Sequence, residues 1–190
     1  MNVSDPHTTD PADTKARALA VALDLFSRDG YDATSMREIA EELGVTKAAL
    51  YYHFTGKEDL VRGILNQFMG EVDEVVAWAA TGADVSPEDV LRRWAQLMRV
   101  NGMRLIRFMQ ANQRIVRDLQ PEEHAPFSER VVPLFDALTG GDPSLGAQVR
   151  ARSAFLALRG ATLFSTTLDA DEDADFEEAL VVAVGILGLS

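Results

Sequence analysis

Lysine, tyrosine and alanine side chains recur at helical spacing just after position 46, and together they can contact nucleic acid. Lys47 can pair with a phosphate or a guanine edge, and the hydroxyls of Tyr51 and Tyr52 can bond phosphate. Ala48 is small enough to let the backbone approach a thymine methyl group. At about 100° per residue, these four residues share about 140° of one helix face. The spacing predicts a helix that presents this face to a groove.

A capped helix is predicted just before that face. Ser35 and Glu38 have the spacing of a capping box, in which each residue satisfies a free backbone N–H group of the other. Gly44 can adopt the left-handed conformation that ends a helix. Between them, apolar residues recur at helical intervals: Met36, Ile39, Ala40 and Leu43. The pattern predicts a helix of about two turns, followed by a glycine turn.

The helix with the polar face begins after Thr46, whose hydroxyl can act as its N-cap. It is predicted over about residues 47–52, with Ala49 and Leu50 on the side opposite the polar face. One side of this helix is therefore expected to face the core and the other a groove.

A longer helix is predicted from Thr55, which has capping-box spacing with Glu58. Lys57 lies in its first turn, where a lysine opposes the helix dipole. A phosphate bound at the free N–H groups would explain a lysine at this position. The helix then keeps an apolar stripe turned inward: Leu60, Ile64, Phe68, Val72 and Val75 or Val76.

Over about residues 14–60 the chain closely resembles the N-terminal domain of TetR-type transcriptional regulators, through the stretches AVALDLFSRDGYDATSMREIA and VTKAALYYHFTGKEDL. The resemblance implies that seven residues contact DNA: Thr46, Lys47, Ala48, Tyr51, Tyr52, His53 and Lys57. It also implies that Ser35 and Arg37 reach phosphate. By helical angle alone His53 points toward the core, so two interpretations stay open. Either the helix ends or tightens there and His53 meets DNA, or His53 is a packed or capping histidine.

The net charge of −12 argues against a nonspecific nucleic-acid coat, because such binders rely on many basic residues to displace counterions. Residues 43–57 differ from the rest, since they contain Lys47, His53 and Lys57 and no acid. We therefore expect weak nonspecific binding, with DNA tolerated only where this stretch docks.

Several function classes lack the residues that they need. The chain has no cysteine, none of His7, His53 and His124 has a metal-ligand spacing, and no glycine-rich phosphate loop follows a strand. We therefore predict no catalytic residues, no metal site, no cofactor and no enzymatic activity. The chain also shows neither a secretion signal nor a membrane span, which makes the cytoplasm the expected location.

The whole chain is predicted to be all-α, with about nine helices and three regions. Residues 1–13 form a disordered acidic arm, residues 14–60 a helix-turn-helix DNA-binding head, and residues 61–190 a helical effector-binding and dimerisation bundle. The first helix runs from about Thr14 to Arg28, and Gly30 closes it. Further helix starts are read at Ser86-Pro87, Asp142-Pro143 and in the acidic stretch 169–178, with stops near Asn101-Gly102 and at residues 139–141.

The last two helices, over about residues 143–168 and 177–189, carry apolar and small residues around much of their circumference. Such helices suit a four-helix interface in a homodimer, although they also suit a monomer core. The resemblance favours the dimer, whose paired heads would read half-sites about 34–36 Å apart on double-stranded DNA.

Methionine and aromatic residues in the middle helices can line an adaptable pocket or fill a core. The residues predicted to contact an effector are Trp94, Met98, Phe108, Met109, Asn112 and Phe135. Asn112 falls within an apolar helix face and needs a polar partner, either a backbone group or a ligand atom. The segment from Arg92 to Arg117 has seven arginines and no acid, which suits either an anionic effector or a solvated face.

Taken with the resemblance, these residues predict a ligand-responsive DNA-binding transcriptional regulator. As a homodimer it would hold a palindromic operator until a small hydrophobic or amphipathic effector releases it. Repression, rather than activation, is what the resemblance implies. The alternative is a helix-turn-helix protein whose C-terminal domain is a protein-interaction module without a small effector.

Overall fold

The computed structural model describes residues 11–82, 85–119, 127–164 and 172–189. In these residues the regular structure is entirely helical, which confirms the predicted all-α fold. The segments are α1 (Pro11–Arg28), α2 (Met36–Leu43), α3 (Lys47–His53), α4 (Lys57–Ala80), α5 (Pro87–Leu97), a π-helical turn (Met98–Gly102), α6 (Met103–Ala111), α7 (Gln113–Leu119), α8 (Phe127–Arg130), α9 (Val132–Leu138), α10 (Leu145–Phe164) and α11 (Glu172–Leu187). No helix in these ranges is both long and apolar enough to cross a membrane.

The described residues divide into two compact units. The head unit comprises residues 11–67 and 107–119, and the bundle unit comprises residues 68–82, 85–106, 127–164 and 172–189. Helix α1 begins at Pro11, so residues 11–13 of the predicted disordered arm are helical, while residues 1–10 lie outside the described ranges. The domain boundary predicted between residues 60 and 61 remains a prediction.

Helix α1 buries one side in the head unit and ends in a tight turn before α2. Its fully or nearly buried side chains are Ala18, Leu19, Ala22, Leu23, Leu25 and Phe26. Gly30 follows with a φ of 93°, a left-handed conformation that glycine adopts without steric cost. Thr34 is buried, and its hydroxyl donates to the carbonyl of Gly30 at 2.8 Å. This bond fixes the turn that leads into α2.

Helix α2 has the termini that the sequence predicts. The Ser35 hydroxyl accepts from the backbone N–H of Glu38 at 3.2 Å, and the Glu38 carboxylate accepts from the Ser35 N–H at 2.7 Å. The bonds from Ser35 lower the pKa of Glu38. Gly44 ends the helix in the left-handed conformation, with a φ of 74°. The predicted apolar face is buried: Met36, Ile39, Ala40 and Leu43.

Helix α3 is held by an N-cap and by a single buried side chain. The Thr46 hydroxyl accepts from the backbone N–H of Ala49 at 3.1 Å, as predicted. Leu50 is buried, whereas Ala49 is exposed and does not face the core as the helical projection suggested. A seven-residue helix presents too narrow a side to the core to cover both residues. Phe54 follows in an extended conformation and is itself buried, which ends α3 at His53.

Helix α4 begins at Lys57, two residues after Thr55. The capping box predicted between Thr55 and Glu58 is wrong in its acidic residue. The Asp59 carboxylate, and not Glu58, accepts from the Thr55 N–H, at 3.0 Å. Because the helix begins at Lys57, Asp59 occupies the third helical position, from which a side chain reaches back over the preceding backbone. Most of the predicted stripe is buried: Leu60, Ile64, Phe68, Val72 and Val75.

Gly63 of α4 lies against the side chain of Leu19 of α1. A Cβ atom at this position would lie 2.7 Å from Cδ2 of Leu19, far inside van der Waals contact. The side chain of Leu19 therefore occupies the space that any larger residue would need.

In the bundle unit α5 begins as predicted, because Ser86 and Asp89 form a capping box and Pro87 stands in the first turn. The stop predicted at Asn101-Gly102 is wrong, since the chain continues through the π-helical turn into α6. A Cβ atom on Gly102 would lie 2.6 Å from Cε of Met98, so the methionine lies against the glycine within this turn. The segments exceed the expected nine partly because this long helical run is interrupted rather than ended.

Helices α10 and α11 contact each other extensively. Both begin at residues other than the predicted ones. Helix α10 begins at Leu145 rather than near Pro143, because the Ser144 hydroxyl caps it by accepting from the Ala147 N–H at 3.2 Å. Helix α11 begins at Glu172, five residues before the predicted start. Residues 165–168, the predicted end of the preceding helix, lie outside the described ranges.

We expect Ser35→Ala to speed amide hydrogen exchange in α2 about fivefold, because losing an N-cap costs about 1 kcal/mol. Ser35→Asn should keep near-normal protection, since asparagine is an equally good N-cap. Acid should destabilise α2 as Ser35→Ala does, seen as a lower protection relative to the slower intrinsic exchange at that pH. The stabilisation from Glu38 is present above the ordinary glutamate pKa and is lost as the pH falls through the lowered value. Unchanged exchange in Ser35→Ala would show that this cap does not hold α2.

Candidate nucleic-acid interface

The polar face predicted on α3 is exposed to solvent. Lys47 and Ala48 are exposed, Tyr51 retains 44% of its accessible surface and Tyr52 retains 85%. Leu50, on the other side of the same helix, retains 1%. Tyr51 and Tyr52 contribute little to core packing, because their rings and hydroxyl groups are accessible to a partner. The helix therefore has a buried side at Leu50 and an exposed side with Lys47, Ala48, Tyr51 and Tyr52, which is the polar face that the spacing predicts.

Lys47 and Tyr51 are paired on the exposed side. The Lys47 ammonium lies 5.5 Å from the centroid of the Tyr51 ring, within the range of a cation–π contact. At an exposed site such a contact contributes about 0.5–1 kcal/mol. It limits the freedom of the long lysine side chain before any partner binds. A positive group and a phenol hydroxyl are thus presented together.

His53 is half-buried at the last position of α3. Its ring lies edge-on to Tyr52, with centroids 5.1 Å apart. The sequence analysis required α3 to end or tighten at His53 if this side chain is to meet DNA, and α3 does end there. Its contact with DNA remains a prediction.

Ser35, Arg37 and Thr46 lie around α3, and each already has a partner within the chain. The Ser35 and Thr46 hydroxyls accept from backbone N–H groups, but a hydroxyl keeps a hydrogen to donate to a phosphate. Arg37 donates to Glu41 at 2.7 Å, and the Arg37 side chain is 76% exposed. Exposed ion pairs contribute little stability, so Arg37 can exchange this partner for a phosphate at small cost.

Lys57 donates hydrogen bonds within the head unit and also lies against an aromatic ring there. Its ammonium donates to the carbonyl of Tyr31 at 2.6 Å and to that of Asp32 at 3.4 Å. It also lies 4.4 Å from the centroid of the Tyr31 ring. The structure thus explains a lysine at the start of α4 without a bound phosphate. The sequence analysis missed Tyr31, because no local pattern relates it to Lys57.

The six residues predicted to contact an effector are divided between the two units. Trp94, Met98 and Phe135 belong to the bundle unit, whereas Phe108, Met109 and Asn112 belong to the head unit. The predicted set is therefore two groups of side chains, each with its own neighbours. Its role in effector binding remains a prediction.

The bundle-unit group lies in an aromatic cluster around α5. Trp94 stacks on Phe155 with ring centroids 4.8 Å apart, and Phe155 meets Phe135 in a T-shaped contact at 5.2 Å. Trp94 and Met98 are buried, while Phe135 is half-buried. Phe155 was not singled out from the sequence, because its position in an apolar helix resembles that of any core residue.

The head-unit group has structural partners of its own. Phe108 is fully buried and stacks on Phe26 with ring centroids 5.8 Å apart. The amide nitrogen of Asn112 donates to the carbonyl of Phe108 at 2.9 Å, at the break between α6 and α7. A backbone group thus supplies the partner that an amide on an apolar face needs.

Arginines of the segment from Arg92 to Arg117 make contacts within the bundle unit. Arg92 donates to Glu88 at 2.6 Å, and the Arg93 guanidinium lies 4.6 Å from the centroid of the Trp78 ring. Arg99 donates to Gln96 at 3.3 Å, so at least three of the seven arginines make local contacts in the bundle unit. In the described ranges, no three His, Asp or Glu side chains are close enough together to hold a metal ion.

Residues 18–64 match the family model for bacterial regulatory proteins of the tetR family. The HTH-type transcriptional repressor KstR2 of Rhodococcus jostii (strain RHA1) is 35% identical over 74 residues, which cover 37% of this chain and 36% of KstR2. The similarity to this curated relative therefore spans little more than a third of either protein.

Solved structures share the fold over most of the chain. A transcriptional regulator of Aquifex aeolicus VF5 has a TM-score of 0.62 at 18% identity, covering 91% of this chain and 99% of that chain. The SmeT–triclosan complex has a TM-score of 0.53 at 18% identity, covering 90% of each chain.

The matched region contains the capped helices α2 and α3 and the exposed Lys47 and Tyr51 face. At 18% identity the solved structures show the helical fold alone, so the family assignment depends on this N-terminal match. Residues 18–64 therefore form the N-terminal domain characteristic of bacterial regulatory proteins of the tetR family.

Proposed function

We propose that this protein is a ligand-responsive transcriptional repressor that acts in the cytoplasm and binds a palindromic operator as a homodimer. The observation that carries the proposal is the exposed, acid-free face of α3 on a capped helix-turn-helix. Tyr52 keeps 85% of its surface exposed there, and Leu50 anchors the opposite side of the helix. No requirement of the monomer fold explains so much exposed aromatic surface.

On the operator, α3 enters the major groove and presents Lys47, Ala48 and Tyr51 to base edges and phosphates. Thr46, Tyr52 and His53 extend this surface at the two ends of the helix. Ser35 and Arg37, at the start of α2, contact the backbone and fix the register of the head. The remaining charge of the chain is acidic and repels DNA elsewhere.

The homodimer forms through α10 and α11, which leave large apolar side chains in solvent. Leu145, Val149 and Leu156 on α10 retain 78%, 51% and 59% of their surface, and they fall within about 40° of one helix face. Val181 and Val182 on α11 retain 65% and 53%. Apolar faces on two adjacent helices match the contribution of one protomer to a four-helix interface.

A small hydrophobic or amphipathic effector acts through the bundle unit, at the cluster of Trp94, Phe135 and Phe155, with Met98 beside it. Half-buried Phe135 gives such a ligand an apolar edge of the cluster, and the unbranched side chain of Met98 can adjust to its shape. The effector releases DNA to the extent that it prefers the protein conformation that does not fit the operator. SmeT, which shares the fold, was solved with triclosan.

Selection from random duplex DNA with the purified protein should recover a palindrome with half-sites about one helical turn apart, because a two-fold dimer places two α3 helices in successive major grooves. Sequencing of the bound duplexes provides the measurement. No enriched motif, or a single unrepeated half-site, would contradict a dimeric operator binder.

Lys47→Ala and Tyr51→Ala serve as the internal controls for that selection. Each should weaken binding to the recovered palindrome at least about tenfold, since each change occurs twice per dimer. Arg92→Ala also removes one positive charge, but from a side chain paired with Glu88 in the bundle unit, and should bind normally. Equal affinities for all variants would move the contact surface away from α3.

Val181→Glu should dissociate the dimer, because a buried, unpaired carboxylate at an apolar contact costs several kcal/mol. Sedimentation equilibrium should show at least about a tenfold weaker dimer. Val132→Glu is the matched control, since Val132 is 48% exposed on α9. A dimer that survives Val181→Glu but not Val132→Glu would place the interface elsewhere.

Trp78→Phe leaves Trp94 as the sole tryptophan, since the chain has two. If an effector binds at the aromatic cluster, titration with triclosan should change the Trp94 emission and release the operator over the same concentration range. Phe135→Ala should weaken both effects. In the control Trp94→Phe, the emission of Trp78 should change much less. Operator release without a change at Trp94 would contradict this site, and no response to triclosan would exclude this compound as the effector.

A further inference from the structure

We infer that Arg159 of α10 and Glu178 of α11 form ion pairs between the two protomers of the dimer, and that these pairs make the interface selective for a second copy of this chain. The inference rests on the proposed function, because it concerns the homodimer through α10 and α11. It adds the charged groups that fix how two protomers meet and which partner they accept.

The exposed apolar face of α10 also carries positive charge. Arg152 and Arg159 are exposed, and at about 100° per residue they fall within about 80° of the face that holds Leu145, Val149 and Leu156. Along the chain these five positions are separated alternately by four and three residues, the spacing of side chains at the seam between packed helices. Two guanidinium groups therefore lie on the face that the partner would cover.

The exposed apolar face of α11 carries negative charge. Glu178 is exposed, and Val181 and Val182 follow it at spacings of three and four residues, so all three share one side of the helix. Phe176 and Ala183 are buried on the opposite side. The Glu178 carboxylate thus lies within the apolar face that the partner would cover.

Charges on a face that becomes buried need partners of opposite sign, because an unpaired charge away from water is costly. Other arginines of the bundle unit are paired within the chain: Arg92 with Glu88 and Arg130 with Asp73, each at 2.6 Å. Within the residues that the structure describes, neither Arg159 nor Glu178 has an ion pair. Both charges are therefore available to a second protomer.

Arg159 and Glu178 lie at the same level along the two helices. Helices α10 and α11 contact each other extensively and are separated by only seven residues of the chain, 165–171. Packed helices with so short a connection run antiparallel, so residues equally distant from the connection are level with each other. Arg159 precedes residue 165 by six positions, and Glu178 follows residue 171 by seven.

Two-fold symmetry brings these charges together across the interface. In an up-down-up-down four-helix bundle, α10 of one protomer also packs antiparallel to α11 of its partner. A two-fold axis along the bundle keeps each residue at its level, so Arg159 meets the partner's Glu178, and Glu178 meets the partner's Arg159. The face is thus self-complementary in charge, and a partner without this arrangement leaves both charges unpaired.

Arg152 lies on the same face but at a different level. It precedes residue 165 by 13 positions and is therefore level with Gly185, which follows residue 171 by 14 and has no side chain to pair with it. Helix α11 ends two residues after Gly185, at Leu187, so the long Arg152 side chain can extend past this end into solvent. Arg152 is thus a matched control for Arg159.

Arg159→Glu and Glu178→Arg should each weaken the dimer at least about tenfold, because each change places two pairs of like charges at the interface. Sedimentation equilibrium provides the measurement. A wild-type chain that stays monomeric would overturn the proposed dimer and this inference together. A wild-type dimer that both changes leave intact would overturn the inference alone.

Mixing the two variants tests the pairing itself. In the heterodimer of Arg159→Glu with Glu178→Arg, both pairs are again opposite in charge, so the equimolar mixture should dimerise with about wild-type affinity. An ion pair within one protomer cannot be restored by mixing. A mixture that dimerises as weakly as the separate variants would therefore overturn the inference.

The control mixture contains Arg152→Glu and Glu178→Arg, which make the same changes of charge on the same faces. It should not recover, because Arg159 still meets an arginine in one of its two pairs. Recovery equal to that of the first mixture would show that overall charge, and not the level of Arg159, holds the dimer, and would overturn the assignment.

The double variant Arg159→Glu/Glu178→Arg covers a single variant that does not fold. It carries both reversals on one chain and is again self-complementary, so its dimer should match that of wild type. A dimer of the double variant weakened at least about tenfold would overturn the inference.

Discussion

The exposed face of α3, which carries Lys47, Ala48, Tyr51 and Tyr52, depends on apolar packing beneath α2 and α3. Both helices are too short to be stable alone. Helix α2 has eight residues and α3 has seven, whereas isolated helices below about 12–15 residues are marginal in water. Ile39 and Leu43 anchor α2, and Leu50 alone anchors α3. Because α3 buries so few residues, Lys47, Tyr51 and Tyr52 can all be exposed on the rest of its surface. Because only Leu50 of α3 is buried, most of the surface of this helix stays exposed.

Backbone hydrogen bonding sets how these short helices follow one another. Thr34, Ser35 and Thr46 each use a hydroxyl to satisfy backbone groups at a turn or a helix start. Gly44 adopts a conformation that most residues avoid, which allows the tight turn between α2 and α3. Lys57 adds a bond from a distant helix. The geometry of the head is therefore specified largely by polar groups, while the apolar core supplies the stability.

The charge of the chain bears on the proposed selective binding to DNA. With a net charge of −12, the protein gains little from nonspecific attraction to phosphate. In the proposed operator complex, affinity then depends on the few groups around α3 that face the DNA grooves. In the proposed dimer, which forms through the exposed apolar faces of α10 and α11, the second protomer also favours selective binding. It doubles the DNA contacts only at sites whose half-site spacing matches the distance between the two α3 helices.

The sequence by itself determined the helices of the head, the caps at Ser35 and Thr46 and the exposed side of α3, because these features follow from contacts within a few residues. It failed where distant groups decide the outcome. Lys57 donates to the carbonyl of Tyr31, 26 residues earlier, and Phe108 of α6 stacks on Phe26 of α1. For Asn112 the sequence left two partners open, a backbone group or a ligand atom, and the structure supplies the Phe108 carbonyl. Local spacing specifies which groups need partners, but only the tertiary structure decides which partners lie within a few ångströms.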